Sequence, residues 1–350
     1  MYRVIQWTTG NLGRRAVRAI CEHPELEFVG LYAWGDDKRG RDAGELCGIE
    51  ETGVIATNDV DALVALGADC VNYNGLLPDF DAMEKFLEAG INIVSATGFM
   101  TGKNIAAGVK ERLEAAAQKG GASLFSSGIN PGWMNMITVA LTAVCDRVHS
   151  IAMTETADCR EYPSPGTWEL FGWAKPLGHQ EQDLSQNPMT GHFFDGLDVI
   201  ADALGIDLDE RVVEAEYAVA KDDIDLSWMK FPKGTVAGQR TTWSGRVDGR
   251  SVIDLTVVWK MGDNIEPNFQ GPEGYLVEIE GEPSIRSVIQ VEQPRNVSFS
   301  REEHRMDLIM IASAMPPIHA IPLVCRAKAG ILTNSDLPLM GARHALASSV

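Results

Sequence analysis

A short turn near the start of the chain has the residue types and spacing of a phosphate-binding loop. It consists of Thr8, Thr9, Gly10, Asn11, Leu12 and Gly13. An apolar run typical of a buried strand precedes it, and a stretch with helical periodicity follows. The N–H groups and the dipole of a helix start attract anions such as a nucleotide pyrophosphate. All six residues are therefore candidate cofactor-binding residues.

The two glycines of this turn have different expected roles. Gly10 lets the backbone approach a phosphate, and Gly13 lets the helix pack closely on the strand. The motif departs from G-x-G-x-x-G at its first position, which is Thr8. A G-x-x-G alone is also compatible with an ordinary strand–helix turn that binds nothing, but its place between a strand and a helix favours the nucleotide interpretation.

A second group of candidates follows the next apolar run, Leu26 to Ala33. Dinucleotide enzymes that use NAD place a carboxylate near this point, and Asp36 is available. The basic residues Lys38 and Arg39 suit the 2′-phosphate of NADP, since a cation pairs with a phosphate. We therefore expect Trp34, Lys38 and Arg39 to contact NADP, with NAD and an unliganded, solvated loop left as alternatives.

Small polar residues stand after the later predicted strands. Asn74 and Gly75 follow one strand, Thr97 follows the next, and Asn130 precedes Pro131 after a third. The carboxyl ends of parallel strands share one edge, where ligands bind. We expect these four residues to line the cofactor's path. An Asn-Pro-Gly turn without a ligand is the alternative at Asn130.

The elements that position these residues divide the chain into two fold patterns. Over the first 130 or so residues strands alternate with helices, which indicates an α/β fold with a parallel sheet. Beyond about residue 135 the strands alternate apolar and polar residues, which indicates a mixed or antiparallel sheet. The predicted domains are 1–135, 136–302, and a helical segment, 303–350, that returns to the first domain. We expect this last segment to be helical on both sides of Pro316-Pro317.

Composition limits the partners and the chemistry. The formal charge of −19 disfavours nucleic acid and anionic membranes as partners. The six cysteines are scattered, and no secretory signal or membrane span is evident, so we expect a cytoplasmic protein. The histidine spacing indicates no metal site, and no G-x-S-x-G elbow points to a serine hydrolase.

Five stretches resemble the dihydrodipicolinate-reductase-like oxidoreductases, a family that includes 2,4-diaminopentanoate dehydrogenase and the native amine dehydrogenases. They are QWTTGNLGRRAVRAI, GRDAGELCGI, SSGINPGWMNMI, GTVAGQR and HAIPLVCRAKAGI. The resemblance implies an N-terminal Rossmann domain and a C-terminal α/β domain that forms a homodimer. It also implies hydride transfer between a nicotinamide cofactor and a carbonyl or imine carbon.

The resemblance fails where this family's chemistry is concentrated. Amine dehydrogenases of the family carry a glutamate just after the fifth strand, whereas residues 95–100 here read SATGFM. The His-His…Lys signature of dihydrodipicolinate reductases is also absent. Another group must therefore handle the proton. His319 is the first candidate, because imidazole titrates near neutral pH; Glu155, His179 and Tyr162 follow.

The sequence therefore predicts an NAD(P)-dependent oxidoreductase that acts on CH–OH or CH–NH of a small, mostly apolar substrate. An amine dehydrogenase with a rearranged catalytic site and a non-catalytic NAD(P)-binding sensor are the alternatives. The aromatic segment with Trp168, Phe171 and Trp173 is expected to form a dimer-interface cluster, with an apolar substrate pocket as the other use.

Overall fold

The computed structural model describes residues 1–97, 100–179, 182–184, 187–294 and 305–344. The chain divides into two compact units. One comprises Met1–Trp133 with Pro294–Val350, and the other comprises Met134–Gln293. The domain boundaries predicted from the sequence are residues 135 and 302. The potential glycosylation sequon at 296–298 and His304 lie outside the described residues.

The helices and strands of both units follow the alternation seen in the sequence. The described strands are β1 (Tyr2–Trp7), β2 (Leu26–Tyr32), β3 (Ala56–Thr57), β4 (Cys70–Tyr73), β5 (Asn92–Ser95), β6 (Ser123–Ser126), β7 (Arg147–Asp158), β8 (Glu210–Ala220), β9 (Ile224–Leu226), β10 (Met229–Phe231), β11 (Val236–Val247), β12 (Arg250–Lys260), β13 (Ile265–Glu266), β14 (Gly274–Glu282), β15 (Ile285–Ile289) and β16 (Gly330–Leu332). The described helices are α1 (Asn11–Glu22), α2 (Ala43–Cys47), α3 (Val60–Val64), α4 (Phe80–Glu88), α5 (Val109–Gly120), α6 (Trp133–Thr142), α7 (Pro165–Leu170), α8 (Pro188–Leu204) and α9 (Arg305–Val324).

The first unit is built on a seven-stranded sheet in the order β16-β6-β5-β4-β1-β2-β3. All of its strand pairs are parallel. The order reverses at β1, which has β2 on one side and β4 on the other. In open α/β sheets of this kind, ligands bind at the carboxyl ends of the strands beside such a switch point.

Helix α9 covers the same face of this sheet as α1. Its residues Ile318, Ala320, Ile321 and Val324 are almost fully buried in an apolar cluster with strand residues such as Val4. The helix is continuous through its internal prolines. The prediction that this segment is helical on both sides of Pro316-Pro317 is therefore confirmed. A proline inside a helix costs about 3 kcal/mol, and burying several aliphatic side chains at about 1.5–3 kcal/mol each offsets that cost.

The second unit holds a seven-stranded sheet in the order β13-β8-β11-β12-β7-β14-β15. Its sheet is mixed, because β7 and β12 are parallel whereas the other pairs are antiparallel. Helix α8 packs against β11 and β12. The predicted fold class is thus confirmed: a parallel α/β sheet followed by a mixed-sheet domain.

The aromatic segment lies inside the second unit. Trp168, Phe171 and Trp173 are at most 2% exposed and pack in one core cluster with Phe231. Side chains buried to this extent within one chain have no surface left for a partner. The expectation that they form a dimer-interface cluster is therefore wrong, because the mixed sheet buries them as its own core.

Candidate functional site

The predicted phosphate turn lies at the carboxyl end of β1, where α1 begins. Thr8 adopts a left-handed backbone conformation with φ of 70°, and its N–H donates to the Tyr32 carbonyl at 2.9 Å. Gly10 occupies the N-cap position of α1, and no side chain caps the helix there. The positive end of the α1 dipole is thus open to an anion rather than covered by a serine or aspartate.

The two glycines of the turn differ in the space around them. A Cβ on Gly13 would lie 2.1 Å from the Thr8 carbonyl oxygen, so only glycine lets α1 pack this closely on β1. A Cβ on Gly10 would meet no atom of the described residues within 4 Å. Gly10 therefore faces open space of the kind that a pyrophosphate needs, and the turn fits a dinucleotide.

Three buried amides lie beneath this turn. Gln6 on β1 and Asn72 on β4 are direct partners in the parallel pairing, and both are completely buried. The Asn72 Nδ2 donates to Gln6 Oε1 at 2.7 Å and to Asn74 Oδ1 at 2.8 Å. The Gln6 Nε2 donates to the Thr8 carbonyl at 3.1 Å. We call Gln6, Asn72 and Asn74 the amide triad.

The loop after β2 brings a basic side chain to the phosphate turn. The half-buried Lys38 donates from Nζ to the Thr9 hydroxyl at 3.3 Å. Arg39 pairs with Asp36 at 3.2 Å on the surface, which leaves the predicted carboxylate and one predicted cation bound to each other. Trp34, also in this loop, is 78% exposed. The structure thus gathers Thr9 and Lys38, with Arg39 and Trp34 in the same loop.

Three cations lie near Cys47 of α2. Burial raises the pKa of the Cys47 thiol to about 11, and the positive charges of Arg14, Lys38 and Arg18 act against that rise. Arg14 and Arg18 belong to α1, and Lys38 contacts Thr9 of the phosphate turn.

The loops after β4 and β5 meet beside the turn. The Thr8 hydroxyl donates to the Asn74 carbonyl at 3.1 Å, and the Asn74 N–H donates to the Trp7 carbonyl at 3.3 Å. The Thr97 hydroxyl donates to the Gly75 carbonyl. Asn74, Gly75 and Thr97 are therefore neighbours, as the sequence predicted. Gly98 and Phe99, in the loop that lacks a glutamate, lie outside the described residues.

Asn130 lies in the loop that follows β6, the next strand of the same sheet. The Gly128 N–H donates to the Pro131 carbonyl at 3.1 Å, which closes a tight turn around Asn130 and Pro131. The Ser127 N–H donates to the Ser95 carbonyl at 2.8 Å and ties this loop to the end of β5. The Asn-Pro-Gly turn is therefore present. It lies at the same edge of the sheet as the other candidate residues, so Asn130 stays a candidate cofactor contact.

His319, the first predicted proton donor, lies away from this edge. Burial, together with the charge of His23, lowers its pKa. His23 follows the last residue of α1, whereas the phosphate turn precedes the first. A helix of 12 residues is about 18 Å long. The structure therefore does not bring His319 together with the residues of the phosphate turn.

Glu155 and Tyr162 lie close together in the second unit. The Trp259 indole donates to Glu155 Oε1 at 2.8 Å, and Tyr275 is the register partner of Glu155 across β7 and β14. Burial raises the pKa of Tyr162 to about 12, and the charges of Cys159 and Glu155 add to the rise. Tyr162 therefore keeps its proton at neutral pH, and Glu155 is the carboxylate of this cluster.

His179, the remaining candidate, belongs to a turn of the second unit. Its N–H donates to the Pro176 carbonyl at 3.3 Å, and its carbonyl accepts from the Gln182 N–H at 2.9 Å. As to metals, the described residues contain no group of three or more His, Cys, Asp or Glu side chains able to hold an ion.

Sequence reasoning missed Gln6 and Asn72. Both sit in apolar strands, within RVIQW and CVNY, where a polar residue is out of pattern. Buried amides are usually hydrogen-bonded and therefore occur for a reason. An amide at the last-but-one position of each of two adjacent strands was the signal that could have found them.

The fold and this site define a class of proteins: oxidoreductases whose parallel-sheet domain binds a nicotinamide dinucleotide at its switch point and is followed by a second α/β domain. Residues 133–349 match the family model of the 2,4-diaminopentanoate dehydrogenase C-terminal domain. Residues 4–126 match the model of the dihydrodipicolinate reductase N-terminus. The chain therefore belongs to the 2,4-diaminopentanoate dehydrogenase family, and it is an NAD(P)-binding dehydrogenase.

Individual relatives agree with this assignment. An amine dehydrogenase of Streptomyces virginiae is 27% identical over 97% of both chains. The 2,4-diaminopentanoate dehydrogenase of Acetoanaerobium sticklandii is 26% identical over 74% of this chain and 70% of its own. The structure of an amine dehydrogenase from Mycobacterium smegmatis matches the fold with a TM-score of 0.80, at 18% identity, over 98% and 97% of the two chains. The suspected family is thus confirmed.

Among the described residues, no helix is both long and apolar enough to cross a membrane.

Proposed function

We propose that this protein is an NADP-dependent dehydrogenase that interconverts an amine with its imine or carbonyl form. The observation that carries the proposal is the open start of α1 at Gly10, with the Lys38 ammonium bonded to Thr9 at its side. The reaction class is supported by the amine dehydrogenase named among its relatives, which it matches over 97% of both chains.

The cofactor preference rests on charge at the loop after β2. A 2′-phosphate bound there would meet Lys38, and Arg39 would have to exchange Asp36 for the phosphate. The neighbouring cations Arg14 and Arg18 add to the attraction. A ribose 2′-hydroxyl of NAD needs a carboxylate acceptor instead, and Asp36, one of the two carboxylates in this loop, is engaged by Arg39. These contacts favour NADP over NAD.

Lys38 provides the direct test of this preference. Lys38→Glu should weaken NADPH binding by about tenfold or more, since a charge-assisted contact contributes about 1.5–3 kcal/mol. It should weaken NADH binding much less, because NADH lacks the 2′-phosphate. Fluorescence titration of both cofactors measures this, with the surface variant Lys85→Glu as a matched control. Equal loss for NADPH and NADH would contradict the NADP preference.

The reacting carbon and nitrogen need groups from the protein as well as a cofactor. When bound, the oxidised nicotinamide would accept a hydride from the carbon that bears the nitrogen. An alkylammonium must first lose a proton, so that the nitrogen lone pair can assist the departure of hydride. We propose Glu155 as the base, because it is the carboxylate among the predicted catalytic residues and the loop at 95–100 offers none.

The neighbours of Glu155 suit that role. Trp259 fixes one carboxylate oxygen, and Tyr162 keeps its proton to serve as a donor rather than a base. The half-buried Trp259, which packs edge-on to Trp168 with centroids 5.8 Å apart, offers apolar surface to a substrate of the same character. His319 and His179 remain alternative proton donors, and His319 is disfavoured by its position beside His23.

We also infer a homodimer that forms through the outer face of the mixed sheet. One row of register partners crosses five strands of this face: Thr242, Thr256, Thr154, Leu276 and Val288. The row is only partly buried, and α8 covers the opposite face. Small side chains on a bare sheet suit a second copy of the same surface. Light scattering should give twice 38.1 kDa.

The free thiols of all six cysteines support a reducing, cytoplasmic location.

The experiment that tests the proposed reaction is a turnover assay with a panel of primary amines, amino acids and alcohols, each with NADP⁺ or NAD⁺. We expect amine-dependent reduction of NADP⁺ by the wild type. Glu155→Gln should lower kcat by about 100-fold or more and leave the NADPH dissociation constant unchanged. Cofactor binding without turnover on any substrate would favour the sensor alternative.

A further inference from the structure

Three amide side chains are buried in the parallel sheet and the loop after β4. Gln6 and Asn72 are completely buried, and Asn74 is 9% exposed. Burying an amide costs free energy unless its hydrogen bonds are replaced. Within the triad the Asn72 Oδ1 and the Asn74 Nδ2 have no partner among the described residues. An apolar pair would pack these strands without that cost, so the triad needs a reason beyond stability.

The contacts of Gln6 point to the conformation of the phosphate turn. Its Nε2 donates to the Trp7 carbonyl at 2.9 Å and to the Thr8 carbonyl at 3.1 Å, and it lies 2.8 Å from Asn74 Oδ1. Its Oε1 accepts from Asn72 at 2.7 Å, which fixes the orientation of the Gln6 amide. Gln6 thus holds the two carbonyl groups at the end of β1 toward the interior.

This orientation determines where the next N–H group points. A trans peptide is planar, with its C=O and N–H on opposite sides. Because Gln6 holds the Thr8 carbonyl inward, the Thr9 N–H points away from Gln6. Thr8 itself is held at a φ of 70°, which is unfavourable for a β-branched residue and needs fixing by its surroundings. The Thr8 hydroxyl bond to the Asn74 carbonyl supplies a second restraint.

We propose that Gln6 and Asn72 are positioning residues that hold the Thr8–Thr9 peptide with its N–H toward the cofactor pyrophosphate. Asn74, oriented by both, restrains the same peptide from the other side, because its carbonyl accepts from the Thr8 hydroxyl. The inference rests on the proposed cofactor function. It adds that affinity for the pyrophosphate is set from beneath the turn, by side chains that do not touch the ligand.

The test compares a variant of the amide triad with a variant of Asn92, an amide at the opposite edge of the same sheet. Gln6→Met keeps the side-chain length and removes both donors. Asn92→Leu removes the bonds from Asn92 Nδ2 to the Asp69 carbonyl and from the Ser123 N–H to Asn92 Oδ1, 2.9 Å each, far from the turn. Gln6→Glu replaces Gln6→Met if the latter does not fold. Thermal denaturation is recorded for each variant.

The ligands are NADPH and 2′-AMP, a fragment that lacks the pyrophosphate. We expect Gln6→Met to weaken the binding of NADPH by about tenfold and the binding of 2′-AMP by less than about twofold. The kcat at saturating cofactor should be retained. Asn92→Leu should lower thermal stability and leave both affinities unchanged. An unchanged NADPH affinity in Gln6→Met, or the same loss for both ligands, would overturn the inference. Failure of the wild type to bind either NADPH or NADH would instead overturn the proposed function.

Discussion

Lys38 and His319 show how far a residue type alone indicates a role. Both roles are predicted from charge chemistry: Lys38 is expected to bind phosphate, and His319 is expected to move a proton. The fold places Lys38 at the phosphate turn, in contact with Thr9. It places His319 beside His23, beyond the other end of α1. Chemistry common to all histidines says nothing about which edge of a sheet a helix residue will reach.

The position of His319 makes a prediction about pH. Burial lowers its pKa in the folded state, so the unfolded chain binds this proton more tightly. The unfolded state therefore gains protons first as the pH falls, and stability declines on acidification. We expect the melting temperature to fall from about pH 8 to about pH 5.5, and His319→Asn to reduce that fall. Thermal scans across this range measure it.

The same variant separates two roles for His319. If the histidine is only a buried helix residue, His319→Asn should keep kcat within about twofold of the wild type. A loss of about 100-fold in kcat, with the NADPH affinity unchanged, would identify His319 as the proton donor and contradict the role given to Glu155. His149→Asn, on an exposed strand position, controls for the loss of a histidine.

At the scale of elements, the join of β1 to α1 carries the cofactor argument. We expect Gly10→Ala and Gly13→Ala to have different effects on stability. Gly10 has an ordinary φ of −70° and no neighbour among the described residues within 4 Å of its Cβ position, so Gly10→Ala should fold normally. Its methyl group would occupy the space meant for phosphate. We expect NADPH binding to weaken by about tenfold or more without loss of thermal stability.

Gly13→Ala should fail in a different way. Its Cβ would lie 2.1 Å from the Thr8 carbonyl oxygen, so α1 must move away from β1. We expect a loss of stability of about 1–3 kcal/mol together with weaker cofactor binding. Denaturant unfolding and fluorescence titration of both variants test the pair. If Gly10→Ala bound NADPH like the wild type, the turn would not be the pyrophosphate site.

Elements with local signals were predictable from the sequence. An Asp-Gly pair favours a hairpin turn, and Asp248 and Gly249 both take positive φ between β11 and β12. The prolines of α9 do not end the helix, because long-range burial of the helix outweighs their cost. The amide triad gave no motif at all. It becomes recognisable only once Gln6 and Asn72 are paired across β1 and β4.

At the scale of the whole molecule, the order of strands and helices in the sequence was enough to predict two α/β units of different kinds. The parallel unit follows from strands separated by helices, and the mixed unit follows from alternating strands with hairpin turns. The sequence left the aromatic segment open, because burial of Trp168 depends on partners such as Trp259 that lie far away along the chain. Family membership then supplies the reaction class.

We propose that the chain oxidises an amine with NADP⁺ as the acceptor. The decisive measurement is the initial rate of NADP⁺ reduction by the wild type across the amine and alcohol panel. We expect reduction that depends on an amine, is faster with NADP⁺ than with NAD⁺, and is lost in Glu155→Gln. Reduction with alcohols alone, or no reduction with any amine despite tight NADPH binding, would contradict it.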